Sequence, residues 1–99
     1  MTVYLLVTFT AAKGKRAELI EGLKENIAVV RANEPGCIQC ELIEAEGDAD
    51  ASICRLLEGY ASEAALEAHR AAPYGPQLYA RVAPYLDGTA EVVRYRAVA

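Results

Sequence analysis

His69 is the only histidine in this chain of 99 residues, and three of its six tyrosines, Tyr60, Tyr74 and Tyr79, flank it in sequence. Imidazole is the side chain that gains and loses a proton near neutral pH, so a histidine in the company of phenols is the first place to look for chemistry. Ser62 is a favoured N-cap, and Glu63 complements the positive end of a helix begun there. On that helix His69 shares a face with Ala65 and Leu66, the face that should meet a sheet. Tyr60 ends the preceding strand-like run, Tyr74 follows the helix and Tyr79 lies beyond it, so phenols and imidazole could converge between helix and sheet. The competing reading is a structural histidine satisfied within the core, beside core-edge tyrosines whose hydroxyls reach water.

Cys37-Ile38-Gln39-Cys40 has the C-x-x-C spacing of redox and zinc motifs. In a regular strand the two Cα atoms would lie about 10 Å apart with side chains on opposite faces, beyond the ~7 Å reach of a disulfide. Cys54 and His69 would complete four zinc ligands by number alone, but Ile38-Gln39 favours extended chain and supplies no glycine for a metal knuckle. The three cysteines read instead as small apolar residues, and no metal is expected. Lys13-Gly14-Lys15 lacks the spacing and the Ser or Thr of a phosphate loop, and neither Ser52 nor Ser62 has the context of a nucleophile elbow.

The elements that must hold these residues follow from hydrophobic periodicity. Residues 3–9 are β-branched and aromatic, with Val3, Leu5, Val7 and Phe9 on one face and Tyr4 and Leu6 on the other. From Lys15 to about Asn33, Leu19, Ile20, Leu23, Ile27 and Val30 recur at steps of three and four, which predicts an amphipathic helix. Glu34-Pro35-Gly36 ends it, because the residue before proline is pushed out of the α region. Strands are expected at 37–45 and 52–60, joined by the polar connection 46–51 as an antiparallel hairpin. The helix capped by Ser62 closes at Pro73; Pro76 can open another, whose last turn Pro84 would disturb, and residues 91–98 form a final strand.

This order, βαββαβ with a helical extension, predicts an α+β, ferredoxin-like fold in one domain, residues 1–99, with an antiparallel sheet and its helices on one face. Those helices cover one side of a first strand that is apolar on both. The cheapest cover for the other side is a second copy of the sheet, so a homodimer is expected. Ten basic residues against fourteen acidic give a net charge of −4, which argues against nucleic acid as a partner. Nine of the acidic residues fall within 34–68, beside a single basic one, and read as a solvated, solubilising surface. The longest uncharged stretch, Met1–Ala12, is too short to cross a bilayer and lacks the basic start of a signal peptide. With an odd number of cysteines and no disulfide framework, the cytoplasm is the expected location.

Glu34-Pro35-Gly36-Cys37, then Leu57-Glu58-Gly59-Tyr60-Ala61-Ser62-Glu63-Ala64-Ala65-Leu66-Glu67-Ala68-His69, then Ala72-Pro73-Tyr74, resembles the antibiotic biosynthesis monooxygenase family, which includes quinol monooxygenase-like proteins. The resemblance implies a dimeric α/β barrel whose pocket, between sheet and helices, takes aromatic or polyketide-like substrates. Several members oxidise phenols or hydroquinones with O₂ and no flavin, haem or metal. An electron-rich phenolate can itself reduce O₂, so the protein need only deprotonate a ring hydroxyl in a dry pocket. His69 falls on the family's helix histidine and Tyr60 on its usual strand-end Trp. The family often continues with S-P-H-F, whereas Ala72-Pro73-Tyr74-Gly75 here replaces the second His and the Phe. Haem-degrading relatives carry an Asn on the first strand and a late axial His; the matching positions are Val7 and Tyr79, which disfavours haem breakdown.

The resulting expectation is a cofactor-independent monooxygenase of a small phenol, hydroquinone or polyketide-like aromatic. His69 would act as base, Tyr60, Tyr74 and Tyr79 would line the site, and Glu58 would orient a polar group. Two alternatives share the same pocket and histidine: a non-catalytic binding protein for an aromatic metabolite, and a cofactor-free isomerase. No prosthetic group is expected, because flavin needs a phosphate-binding element that the sequence does not offer.

Overall fold

A computed structural model of the chain describes residues 1–47 and 50–99. Strand β1 (Val3–Thr10) leads into helix α1 (Arg16–Asn33), strands β2 (Cys37–Ile43) and β3 (Ile53–Tyr60), helices α2 (Glu63–Ala71) and α3 (Gly75–Val82), and strand β4 (Glu91–Tyr95). The strands form one antiparallel sheet in the order β2-β3-β1-β4. This is the ferredoxin-like α+β arrangement. Part of the connection expected over 46–51 lies outside the described residues, at 48 and 49.

Strict alternation along β1 sorts its side chains. Val3, Leu5, Val7 and Phe9 are buried against Leu19, Leu23, Ile27 and Val30 of α1, Leu66 of α2 and Val82 of α3. Full burial of a side chain such as Leu19, Leu23 or Leu66 stabilises the fold by about 1.5–3 kcal/mol each. The other face presents Tyr4, Leu6, Leu57, Val93 and Tyr95, which the registers place together, and Val93 and Tyr95 are about half exposed.

Pro84 acts as its position predicts: α3 stops at Val82 and a single 3₁₀ turn, Ala83–Tyr85, replaces further α-helix. The last strand is shorter than the sequence pattern, ending at Tyr95 rather than Val98, and β2 ends at Ile43 rather than Ala45.

One expectation is corrected. Cys37 pairs with Tyr60, but Gln39 pairs with Gly59 and Cys40 with Glu58, so Ile38 is an extra residue in a β-bulge. The extra residue cancels one step of alternation, and Cys37 and Cys40 therefore point to the same, helix-covered face instead of opposite faces.

Candidate active site

The Ser62 hydroxyl accepts the Ala65 N–H at 3.1 Å, which caps α2 and fixes its rotation. Leu66 then points into the core with no exposed surface, and His69, less than one turn later, reaches the edge of the same face. Across the gap lies the end of α1. Pro35 keeps Glu34 out of helical geometry, at φ −124° and ψ 84°. Gly36 then presses against α2, where a Cβ would come within 2.6 Å of the Ala65 Cβ. The Gly36 carbonyl also accepts the Ala61 N–H at 2.8 Å. The turn is thus clamped one helical turn before His69, which brings the Glu34 side chain beside α2.

It goes to the imidazole. His69 Nδ1 and Glu34 Oε1 are 2.7 Å apart, and the Tyr74 hydroxyl donates to the other oxygen, Oε2. With Nδ1–H donating to the carboxylate, Nε2 is left as the free acceptor of the ring. Only 9% of the Glu34 side chain is exposed. Tyr74 is committed as a donor: burial and then the Glu34 carboxylate push its hydroxyl up to about 12.

Beneath His69 the ring of Tyr60 lies 5.1 Å away, centroid to centroid, tilted by 47°. Tyr60 is fully buried, and its hydroxyl donates to Glu58 Oε1 at 2.6 Å. Burial raises the Tyr60 hydroxyl far above the usual phenol range, and the Glu58 charge adds to it. Burial likewise raises Glu58, partly offset by the Tyr60 hydrogen bond and the His69 charge. Cys40 is pushed up to about 12 by burial and then by Glu58, so it is an inert thiol at neutral pH. Two of the acidic residues read as solvated from the sequence, Glu34 and Glu58, are instead interior groups of this cluster.

This cluster borders a cavity of about 350 Å³. His69, Glu58 and Tyr74 face into it; Tyr79 stands at its mouth, about half exposed, and Tyr60 supports His69 and Glu58 from behind the wall. The rest of the surface is mostly apolar, from Val7, Leu23, Ile27, Leu56, Leu78 and Val82, with Asn26 and Thr89 as further polar residues in the wall. Helix α3, which carries Leu78 and Tyr79, is fastened to α1. Asn26 donates to the Leu78 carbonyl at 2.8 Å and accepts from Arg81, also at 2.8 Å, while Arg81 Nε lies 3.1 Å from Glu25. Gly22 permits this approach, since a Cβ would meet Val82 at 2.9 Å.

From the sequence Glu34 reads as a helix stop, as part of the E-P-G-C turn that carries the resemblance and as one of the solvated acidic residues, not as a partner of His69, and Asn26 does not stand out. The signal for Asn26 was a polar residue inside the apolar stripe of α1; Glu34 gave none beyond its place before Pro35, because its partners lie 35 and 40 residues away.

The family model for antibiotic biosynthesis monooxygenases matches residues 2–75, the stretch that contributes Glu34, Glu58, Tyr60, His69 and Tyr74. The chain belongs to the antibiotic biosynthesis monooxygenase family. A solved structure of a candidate antibiotic biosynthesis monooxygenase from Caulobacter crescentus is 28% identical, with a TM-score of 0.86 over 99% of this chain and 91% of that one. Rv0793 from Mycobacterium tuberculosis is 27% identical, with a TM-score of 0.84 over 100% of this chain and 97% of its own. A candidate monooxygenase of the same name from Nitrosomonas europaea, 18% identical with a TM-score of 0.84 over 98% and 90% of the two chains, shares the fold. No curated protein matches the chain.

In this member of the antibiotic biosynthesis monooxygenase family Val7, matched in the resemblance to the first-strand Asn of haem-degrading relatives, is an apolar part of the cavity wall. Among the described residues, no three side chains of His, Cys, Asp and Glu are placed to hold a metal ion. No helix among them is long and apolar enough to cross a membrane.

Proposed function

We propose that the protein is a cofactor-independent monooxygenase acting on a small phenol, hydroquinone or polyketide-like aromatic, with His69 as the base. The observation that carries this reading is the Glu34–His69 hydrogen bond beside a mostly apolar cavity. The carboxylate selects the tautomer whose Nε2 can accept a proton and stabilises the imidazolium that results.

Nε2 takes the ring hydroxyl's proton, and the phenolate passes an electron to O₂. The two radicals combine at a ring carbon bearing hydrogen, the imidazolium returns its proton to the peroxide oxygen, and loss of water leaves a quinone. One oxygen atom stays on the ring and the other leaves as water, and the substrate supplies all four electrons. The apolar walls exclude water that would solvate the phenolate.

The same reading makes the protein a cytoplasmic homodimer, joined through the face that presents Tyr4, Leu6, Leu57, Val93 and Tyr95. Oxygen consumption with a panel of hydroquinones tests the activity. We expect uptake by the parent protein and its loss in His69→Ala; equal rates in the two would remove His69 from the mechanism. A ligand-induced rise in melting temperature with no O₂ uptake would identify a binding protein instead, and conversion without O₂ an isomerase.

A further inference from the structure

Asn26 is a polar side chain in the apolar stripe of α1, and only 7% of it is exposed. Its two partners fix which way the amide points. Arg81 Nη1, which can only donate, lies 2.8 Å from Oδ1, and the Leu78 carbonyl, which can only accept, lies 2.8 Å from Nδ2. These bonds fasten α3 and use the oxygen and one of the two amide hydrogens. The second hydrogen has no acceptor among the described residues. An amide hydrogen left unpaired in an interior is costly, so a water or a ligand must accept from it.

Asn26 is at the same time part of the cavity wall. Both partners it has already found belong to α3, which leaves the cavity as the space open to the second hydrogen. Arg81 also strengthens the donor. A guanidinium on Oδ1, held in turn by Glu25 at 3.1 Å, draws charge out of the amide and leaves its N–H more positive. Along α1, Asn26 stands about 12 Å of helix rise before Glu34, the residue that holds His69.

We infer that Asn26 is a specificity-determining residue whose free Nδ2–H donates to an acceptor oxygen on the ligand, away from the hydroxyl that faces His69. The inference rests on the aromatic-substrate reading above and narrows it. The ligand class becomes a phenol or hydroquinone that carries, apart from its reacting hydroxyl, an oxygen with a free lone pair, as in a ring carbonyl, an acyl group or an ether. A ring that offers only hydrocarbon there displaces the water that satisfied the amide and puts nothing in its place. Asn26 therefore discriminates against such rings as well as favouring their oxygenated rivals.

Calorimetric binding to the whole protein, without O₂, tests this with β-naphthol acetylated at each position of its second ring in turn. Each ketone is compared with its isopropenyl twin, in which CH₂ stands for the carbonyl oxygen. For at least one position the ketone should bind about three- to tenfold tighter than its twin. The preference should vanish in Asn26→Leu and persist in Tyr79→Phe and Thr89→Val, which remove two other hydroxyls from the cavity wall. The acetyl group acidifies the naphthol equally in both proteins, and a shift of α3 acts on both compounds, so the change in the ratio isolates the amide. Where Asn26→Leu does not fold, the nitrogen-15 spectrum of the parent decides: one of the two Asn26 Nδ2 hydrogens should move downfield with the ketone and not with its twin. Equal binding of ketone and twin at every position, a preference that survives Asn26→Leu or is lost in either hydroxyl variant, or two unmoved Asn26 hydrogens would each overturn the inference while leaving the aromatic-substrate reading in place. Binding of none of the compounds would remove both.

Discussion

The carboxylate of Glu34 lies between His69 Nδ1, 2.7 Å from one oxygen, and the Tyr74 hydroxyl, which donates to the other. One side chain at the end of α1 thus orients an imidazole on α2 and a phenol beyond it. A carboxylate saturated in this way cannot rotate without breaking both bonds, so the direction of Nε2 is fixed before a ligand arrives.

Glu34→Gln should keep the fold and lose the chemistry. An amide can accept from only one of its two donors, which frees the imidazole to take the opposite tautomer with Nε2 protonated. We expect hydroquinone turnover to fall by about a hundredfold or more, with the far-ultraviolet circular dichroism spectrum unchanged. A turnover number equal to the parent's would show that Glu34 has no part in orienting His69.

Gly36 and Ala65 form a size-matched pair. Gly36→Ala forces a Cβ to within 2.6 Å of the Ala65 Cβ and should cost about 1–3 kcal/mol through overpacking. It should also move α2 away from Glu34. Ala65→Gly alone should cost about 1 kcal/mol of helix propensity, but combined with Gly36→Ala it reopens the space. The double variant is therefore expected to be more stable in urea than the sum of the single effects, and the absence of such coupling would count against the contact.

Stability should fall in alkali through Cys40. Its thiol has an ordinary value of 9.0 and is held up to about 12 in the folded chain. Above 9 the unfolded chain releases this proton while the folded chain retains it, so stability decreases as pH rises through that window. One such group contributes a slope of up to about 1.4 kcal/mol per pH unit. Urea titrations should show a shallower alkaline decline in Cys40→Ala, and parallel curves would contradict the assignment. Glu58 should act in the same direction above its ordinary 4.5, because its folded value is raised.

Leu57→Glu places a charge in the middle of the proposed dimer face, opposite Leu6 in the register. Sedimentation equilibrium should show the parent as a dimer at micromolar protein and the variant as a monomer. A monomeric parent would remove the homodimer from the proposal.

Periodicity made the fold legible, and the reason is visible in particular residues. Val3, Leu5, Val7 and Phe9 alternate without interruption, and Pro35, Ser62, Pro73 and Pro84 mark helix ends by local sterics that need no tertiary context. His69, Tyr74 and Glu58 were legible as candidates because their chemistry is carried by residue type. Their connection was not. Glu34 reaches His69 only through the close approach of Gly36 to Ala65, and a contact between distant segments leaves no periodic trace in either. The bulge at Ile38 escaped for a related reason: one extra residue is invisible in a strand whose side chains are mixed, since nothing in Cys37-Ile38-Gln39-Cys40 marks where alternation slips.

The placement of the cavity's two kinds of surface separates two kinds of evolutionary change. Glu34, Cys40, Glu58, Tyr60, His69 and Tyr74 all fall within residues 34–74, whereas most of the apolar wall, Val7, Leu23, Ile27, Leu78, Val82 and Val92, comes from the flanking stretches, with Leu56 the exception inside the segment and Asn26 and Thr89 the polar residues outside it. Drift in the flanks can reshape the pocket while the hydrogen-bonded cluster around His69 stays intact, and residues 34–74 grafted between relatives would carry that cluster into a differently shaped pocket. In a chain built this way the shape of the pocket and its hydrogen-bonded cluster can change separately.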